Sequence, residues 1–147
     1  MLDLQNLKIL IVDDHFLARR AIADALHDIN VTNISEVQDG FAARDILRGA
    51  HERGEPFDVV YLDWNIPHMD GIEVLQQFRT MPEFQTTAFI MFTSAAEQSD
   101  VLKAIKAGAA GYLIKPVSRQ AIIQKLKDAM DWIEQKKLAP QDVSDLA

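Results

Sequence analysis

Four short apolar runs in this chain each end in a residue able to bind a metal ion or a phosphoryl group. Lys8 to Val12 runs into Asp13 and Asp14, Val59 to Leu62 into Asp63, Ala88 to Phe92 into Thr93, and Gly111 to Ile114 into Lys115. Alone, each end residue has an ordinary use, since Asp and Thr cap helices by accepting hydrogen bonds from free amides. Together they suggest more. Three carboxylates gathered in one place repel one another and call for a cation, and oxygen donors in a chain without cysteine suit magnesium. Phosphoryl transfer then needs neutralised charge on the phosphoryl oxygens, a positioned nucleophile and little else. Asp63 offers a carboxylate nucleophile that would become an aspartyl phosphate. The metal on Asp13 and Asp14, the Lys115 ammonium and the Thr93 hydroxyl could bind three different phosphoryl oxygens.

The elements that must position these residues follow from hydrophobic period. Uninterrupted apolar runs of this length suit strands buried on both faces, and Ile34 to Val37 adds a further short strand. Helical spacing follows each: Leu17, Ala18, Ala21, Ile22, Ala25, Leu26 and Ile29 after the first, then Phe41, Ala42, Ile46, Leu47 and Ala50. Ile72, Val74, Leu75 and Phe78 form the next helix, closed by Met81-Pro82, and Val101, Leu102 and Ile105 one that stops near Gly108. A last helix from about Ser118 to Lys136 carries Ile122, Ile123, Leu126, Met130 and Ile133. Strand and helix alternate five times, which predicts a doubly wound α/β fold with a parallel sheet between helical layers. Ligands of such sheets bind at the carboxyl ends of the strands, where Asp13, Asp14, Asp63, Thr93 and Lys115 would lie.

Composition bounds the rest. A chain of 147 residues, 48% hydrophobic, fits one domain with a sizeable core. Residues 1–137 are read as that domain and 138–147, which include Pro140, as a short tail or linker. A net charge of -7 argues against nucleic acid or an anionic membrane surface as partner. The absence of cysteine excludes disulfides and thiolate chemistry. No apolar stretch approaches a membrane span and Met1 to Leu7 lacks the features of a signal peptide, so a soluble, cytoplasmic protein is expected. His15 and His68 flank the acids, but without a matched pair they read as exposed loop residues and not as metal ligands. Phe89, Met91 and Phe92 read as core, and Trp64 as a probe beside the acids.

The residues that carry this chemistry resemble the receiver domains of two-component response regulators, and the stretch Asp63-Trp64-Asn65-Ile66-Pro67-His68-Met69-Asp70-Gly71 is especially similar to the CheY-like members. The resemblance runs from about Lys8 to Lys136. It implies a five-stranded, flavodoxin-like sheet of order 2-1-3-4-5, in which the four strand ends are neighbours. It implies that Asp63 is the phosphoacceptor, that Asp13, Asp14, Asp63 and the backbone carbonyl of Asn65 hold Mg2+, and that Thr93 and Lys115 assist. Thr93 and Tyr112 match the family's switch pair, and Lys115-Pro116 matches a peptide bond that is usually cis. The partners implied are a histidine kinase or histidine phosphotransfer protein as phosphodonor and a downstream protein, reached through the surface of the fourth helix, fifth strand and fifth helix. Ala95 stands where CheY-like proteins have a glutamate, which together with Asn65 is expected to set the phosphoryl lifetime.

The site is thus expected to receive a phosphoryl group and signal with it, not to turn over a substrate. A stand-alone regulator, with chemotaxis as the first pathway to consider, is the first expectation. A receiver portion of a larger regulator, a phosphorelay intermediate and a phosphate-independent protein-binding module are the alternatives. A haloacid-dehalogenase-type phosphatase would want a second Asp where Asn65 stands, a flavodoxin-like cofactor binder a hydroxyl- and glycine-rich first loop, and a P-loop protein a Gly-x4-Gly-Lys pattern that is missing.

Overall fold

The computed structural model describes residues 3–94 and 98–138. Ala95, and all of the expected tail beyond Leu138, lie outside the described residues. Strands β1 (Lys8–Val12), β2 (Asn33–Val37), β3 (Val59–Asp63), β4 (Ala88–Thr93) and β5 (Gly111–Ile114) alternate with helices α1 (Phe16–His27), α2 (Gly40–Glu52), α3 (Gly71–Arg79), α4 (Gln98–Lys106) and α5 (Arg119–Leu138). The strands form one sheet in the order β2-β1-β3-β4-β5, and every pairing is parallel. This is the order that the resemblance implied. Every residue of β3 and β4 is buried, the state an unbroken apolar run demands when helices cover both faces.

Strand alternation sorts the core into two layers. Ile9, Ile11, Val59, Tyr61, Ile90, Phe92 and Leu113 point toward α1 and α5, where Ile22, Leu26, Ile122, Leu126 and Ile133 meet them. Leu10, Val12, Val60, Leu62, Phe89 and Met91 point the other way, toward Leu47 of α2, Leu75 and Phe78 of α3 and Ala104 of α4. Phe89, Met91 and Phe92 are core, as their positions in the run required. The Tyr61 hydroxyl donates to the carbonyl of Ile122 at 3.0 Å, which ties the start of α5 to the strand that ends in Asp63.

The helical patterns were correct in period and partly wrong in face. Leu17 is 83% exposed and Ala21 is exposed, because the first turns of α1 lie at the carboxyl edge of the sheet beside Lys115, Pro116 and Val117. Phe41, Leu102 and Ile105 also face outward. Spacing identifies an apolar residue as being on a helix; which side the sheet lies on is a tertiary fact.

Arg79, at the end of α3, is a structural cation inside the second layer's lower rim. Its guanidinium donates to the carbonyls of Phe84 at 3.1 Å, Gln85 at 3.3 Å and Thr87 at 2.5 Å, and lies 5.1 Å from the ring centres of both Phe89 and Trp132. Burial pulls its pKa down to about 10, still far above neutrality. A side chain at Gly108, which has φ of 101°, would run into Arg79. Replacing Arg79 by Met keeps the stem and leaves three carbonyls without a donor. The expected cost is about 2–4 kcal/mol, read as a lower midpoint in urea unfolding at an unchanged slope.

Candidate functional site

Register explains how the chemical residues meet. Val12 pairs with Leu62, so Asp13, one residue on, comes level with Asp63, and Asp63 pairs with Phe92. Phe92 pairs with Leu113, and Lys115 lies two residues beyond Leu113. Alternation therefore puts Asp13, Asp63 and Lys115 at the edge of the face covered by α1 and α5. Thr93 and Tyr112 belong to the other face, because Met91 pairs with Tyr112 and Thr93 with Ile114. The sheet separates an acid-and-lysine group from a hydroxyl-and-tyrosine group by a single step along the strands.

Asp13 is fully buried and Asp63 is 2% exposed. The Lys115 ammonium lies 3.0 Å from Asp13 Oδ2 and 3.1 Å from Asp63 Oδ2, bridging the two carboxylates, with the Phe92 ring 5.0 Å away. Toward Asp63 this contact has hydrogen-bond geometry; toward Asp13 it is an ion pair only, and Asp13 Oδ2 is left without a hydrogen bond. The Lys115-Pro116 peptide bond is cis. The Lys115 amide donates to the Thr93 carbonyl at 2.7 Å.

The electrostatics of the two acids differ. Burial, and then the charge of Asp13, push Asp63 up to about 6, with Lys115 opposing. Asp13 stays below the ordinary carboxylate value: burial raises it, but the His15 amide and Lys115 outweigh that. Lys115 is held above the ordinary lysine value, because its two carboxylate partners outweigh the effect of burial. The group is balanced for one cation too few, with two buried carboxylates, a third nearby on Asp14 and one ammonium among them.

These residues fit a hard divalent ion. Donor atoms of Asp13, Asp14, His15 and Asp63 all lie within 4.8 Å of one another, and the sealed Asp13 Oδ2, which has the shared Lys115 ammonium beside it but no hydrogen bond from the described residues, is an oxygen a metal would satisfy. Asn65 is exposed in the loop after β3, and its carbonyl accepts no hydrogen bond from a described residue. That loop is held close. Gly71 donates its amide to the Trp64 carbonyl at 2.8 Å, and a β-carbon at Gly71 would overlap the carbonyl of Asp63. Gly40 likewise leaves room for the Met69 backbone and donates to the Pro67 carbonyl at 3.2 Å. Both glycines are there for close approach of backbones around the acid edge.

Thr93 is buried at 4% exposure, directly at the end of β4. Tyr112 is half-buried and packs against the second layer. Its hydroxyl is sealed and forms no hydrogen bond with the described residues, and burial, followed by the charge of Asp100, raises its pKa. Ser94 is exposed and lines the groove with Leu17 and Lys115.

Sequence reasoning missed two side chains at this edge. Arg19, one turn into α1, donates to the Asp13 carbonyl at 2.7 Å and pairs with Glu36 at 3.1 Å, so it anchors the backbone of the acid loop. His15 is 69% exposed, as expected, but its ring is not idle: Nδ1 lies 3.1 Å from Asp13 and 3.2 Å from Asp14. No pattern of spacing signals either contact, since both depend on the turn between β1 and α1. His68 has φ of 72° and stacks on Phe41 at 5.5 Å, with Asp39 3.7 Å away.

A parallel 2-1-3-4-5 sheet whose carboxyl edge gathers acids, a hydroxyl and a lysine is the architecture of a receiver-type signalling module. The chain belongs to the response regulator receiver domain family, whose model matches residues 9–127. Within that family it is CheY-like. It is 36% identical over 122 residues to chemotaxis protein CheY-3 of Vibrio cholerae, covering 83% of this chain and 90% of that one. It is 35% identical over 121 residues to chemotaxis protein CheY of Pseudomonas aeruginosa, covering 82% and 94%. Among solved structures, chemotaxis response regulator CheY4 of Vibrio cholerae superposes with a TM-score of 0.71 at 27% identity, covering 84% of this chain and 98% of that one. The bacteriophytochrome response regulator RtBRR does so with a TM-score of 0.73 at 34% identity, covering 84% and 78%. Among the described residues no helix is long and apolar enough to cross a membrane.

Proposed function

We propose that this chain is a response regulator whose Asp63 accepts a phosphoryl group in a magnesium-dependent reaction, and that the phosphorylated form changes which protein it binds. The observation that carries this reading is the Lys115 ammonium shared between Asp63 at 3.1 Å and Asp13 at 3.0 Å at the carboxyl edge. A buried carboxylate beside a fixed ammonium has both the nucleophile and a ready counter-charge for a phosphoryl oxygen. Asp13, Asp14 and Asp63, with the carbonyl of Asn65, would hold Mg2+, which when bound neutralises charge on the phosphoryl oxygens.

The donor is a histidine kinase or histidine phosphotransfer protein. An Asp63 oxygen forms the new bond to phosphorus as the P–N bond of the donor's phosphohistidine breaks, and its electron pair returns to the imidazole. Lys115 then exchanges an Asp63 oxygen for a phosphoryl oxygen, and Thr93, at the adjacent strand end, turns toward the group. Tyr112 shares the Thr93 face and its hydroxyl has no hydrogen-bond partner among the described residues, so a shift of Thr93 alters the space available to it. The partner surface is that of α4, β5 and α5, where Leu102, Ile105 and Ile114 are already exposed. Ala95 and Asn65 set the phosphoryl lifetime, because Ala95 has no polar group to orient attacking water. The names of the CheY relatives make chemotaxis the first pathway to examine.

The test is a mass measurement. Incubation with a small phosphodonor and Mg2+ is expected to add one phosphoryl mass to the wild type and none to Asp63→Asn. A wild type that gains no mass under these conditions, or a variant that gains it, removes the reading.

A further inference from the structure

A fourth potential ligand joins the three acids at the sheet edge. Asp13, Asp14, His15 and Asp63 each place a donor atom within 4.8 Å of the others. His15 presents Nδ1, which lies 3.1 Å from Asp13 Oδ1 and 3.2 Å from Asp14 Oδ1. The backbone holds the ring there. The His15 amide donates to Asp13 Oδ1 at 2.8 Å, and His15 itself is the residue on which α1 begins. A second observation is independent of the ring: Asp13 is fully buried, and its Oδ2 accepts no hydrogen bond from the described residues, its one counter-charge being the Lys115 ammonium at 3.0 Å, which it shares with Asp63. One ammonium shared between two buried carboxylates leaves this edge with negative charge still to be compensated.

On the reading that this edge binds a divalent ion, we propose that His15 is a further ligand there, so that the site holds late first-row ions such as Co2+, Ni2+ or Zn2+ more tightly than Mg2+. The argument is one of donor chemistry. Mg2+ wants near-octahedral oxygen and keeps several waters, so an imidazole adds little to its binding. Co2+, Ni2+ and Zn2+ take imidazole nitrogen readily, and their affinities for mixed nitrogen and oxygen sites rise toward the end of the row. Geometry allows it. Donors on opposite sides of an ion at about 2.1 Å each stand about 4.2 Å apart, so a span of 4.8 Å closes with a small torsional change. The side chains free to make it are His15, 69% exposed, and Asp14, 36% exposed, while Asp13 and Asp63 stay fixed. Arg19, bonded to the Asp13 carbonyl at 2.7 Å, keeps the loop from following the ion outward.

The experiment is calorimetric titration of the full chain with CoCl2 and with MgCl2, without phosphodonor, together with the visible absorption of bound Co2+. Wild type, His15→Ala and His15→Gln are compared at one pH near neutrality. Wild type is expected to bind Co2+ about tenfold or more tighter than Mg2+. His15→Ala is expected to lose about tenfold in Co2+ affinity and to change the Co2+ spectrum, with Mg2+ affinity kept within about twofold. The other three histidines remain in both variants, so weak binding by them cancels in the comparison. A Co2+ to Mg2+ affinity ratio and a spectrum that are the same with and without His15 overturn the inference. A wild type that binds Co2+ through His15 but has no affinity for Mg2+ supports it and counts instead against the magnesium-dependent phosphoacceptor reading.

Discussion

Asp63→Asn is expected to make the metal-free protein more stable at neutral pH while abolishing phosphoryl acceptance. Asp63 is 2% exposed and is pushed up to about 6 by burial and by Asp13. A folded-state value above the ordinary 3.8 means that the ionised form is penalised by folding. The stability Asp63 contributes is therefore complete below about pH 4 and is lost as pH rises through about 6. The amide cannot ionise, so the variant avoids that loss. A shift of about two pKa units corresponds to roughly 3 kcal/mol, and relaxation around the site reduces it, so the expected gain is about 1–3 kcal/mol at pH 7.5. Urea unfolding with a chelator present should show this gain at pH 7.5 and little of it at pH 4. Saturating Mg2+ should close the gap, because ligand binding stabilises the form with the intact acid set. A variant less stable than wild type at pH 7.5 without metal would show that the carboxylate repulsion is not the governing term.

Lys115→Met is expected to have the opposite effect on stability. The lysine is 18% exposed at its side chain and compensates two buried carboxylates at once. Removing one partner from a buried ion pair costs more than the pair was worth, because the charge left behind has neither water nor counter-ion. Its raised value means that Lys115 contributes stability present at every pH below its ordinary range and lost only in strongly alkaline solution, so at neutral pH the whole contribution is at stake. The expected loss is about 2–4 kcal/mol at pH 7.5 without metal. It should shrink at pH 5, where one of the uncompensated carboxylates takes up a proton, and shrink again with Mg2+. Phosphoryl acceptance should slow about 100-fold, the scale on which a single oxyanion donor matters. Mg2+ affinity should not fall, since Lys115 is a competing cation and not a ligand. A parallel loss of Mg2+ binding and phosphorylation would mean that the lysine only positions the acids.

Much of this was legible in the chain. The apolar runs at Lys8–Val12, Val59–Leu62 and Ala88–Phe92 are unbroken because helices cover the sheet on both faces, so their period announces buried parallel strands. Asp13, Asp63 and Thr93 were found because a polar residue that ends such a run has no apolar reason to be there. The site was legible as a set of types for the same reason. Its neighbours were not. Arg19 reaches the Asp13 carbonyl and His15 the acid side chains through a tight turn whose path no residue spacing encodes. The outward placing of Leu17, Phe41, Leu102 and Ile105 was equally hidden, because a helix in isolation has no inside.

The sequence by itself determined that five strands alternate with five helices in a parallel sheet, that the runs ending in Asp13, Asp63 and Thr93 are buried, and that an acid-rich, cysteine-free set of strand ends would meet at one edge. Local propensity and hydrophobic period are properties of neighbours along the chain, and they suffice for that. Only the tertiary structure decided that Lys115 bridges Asp13 and Asp63 while Thr93 and Tyr112 share the opposite face, and that Asp63 and Asp13 are shifted in opposite directions. Those depend on register and on distances of a few ångströms between residues 50 or more positions apart, such as the 52 that separate Asp63 from Lys115. Coulomb energies at such distances follow the three-dimensional arrangement, to which the order of residues along the chain is only an indirect guide.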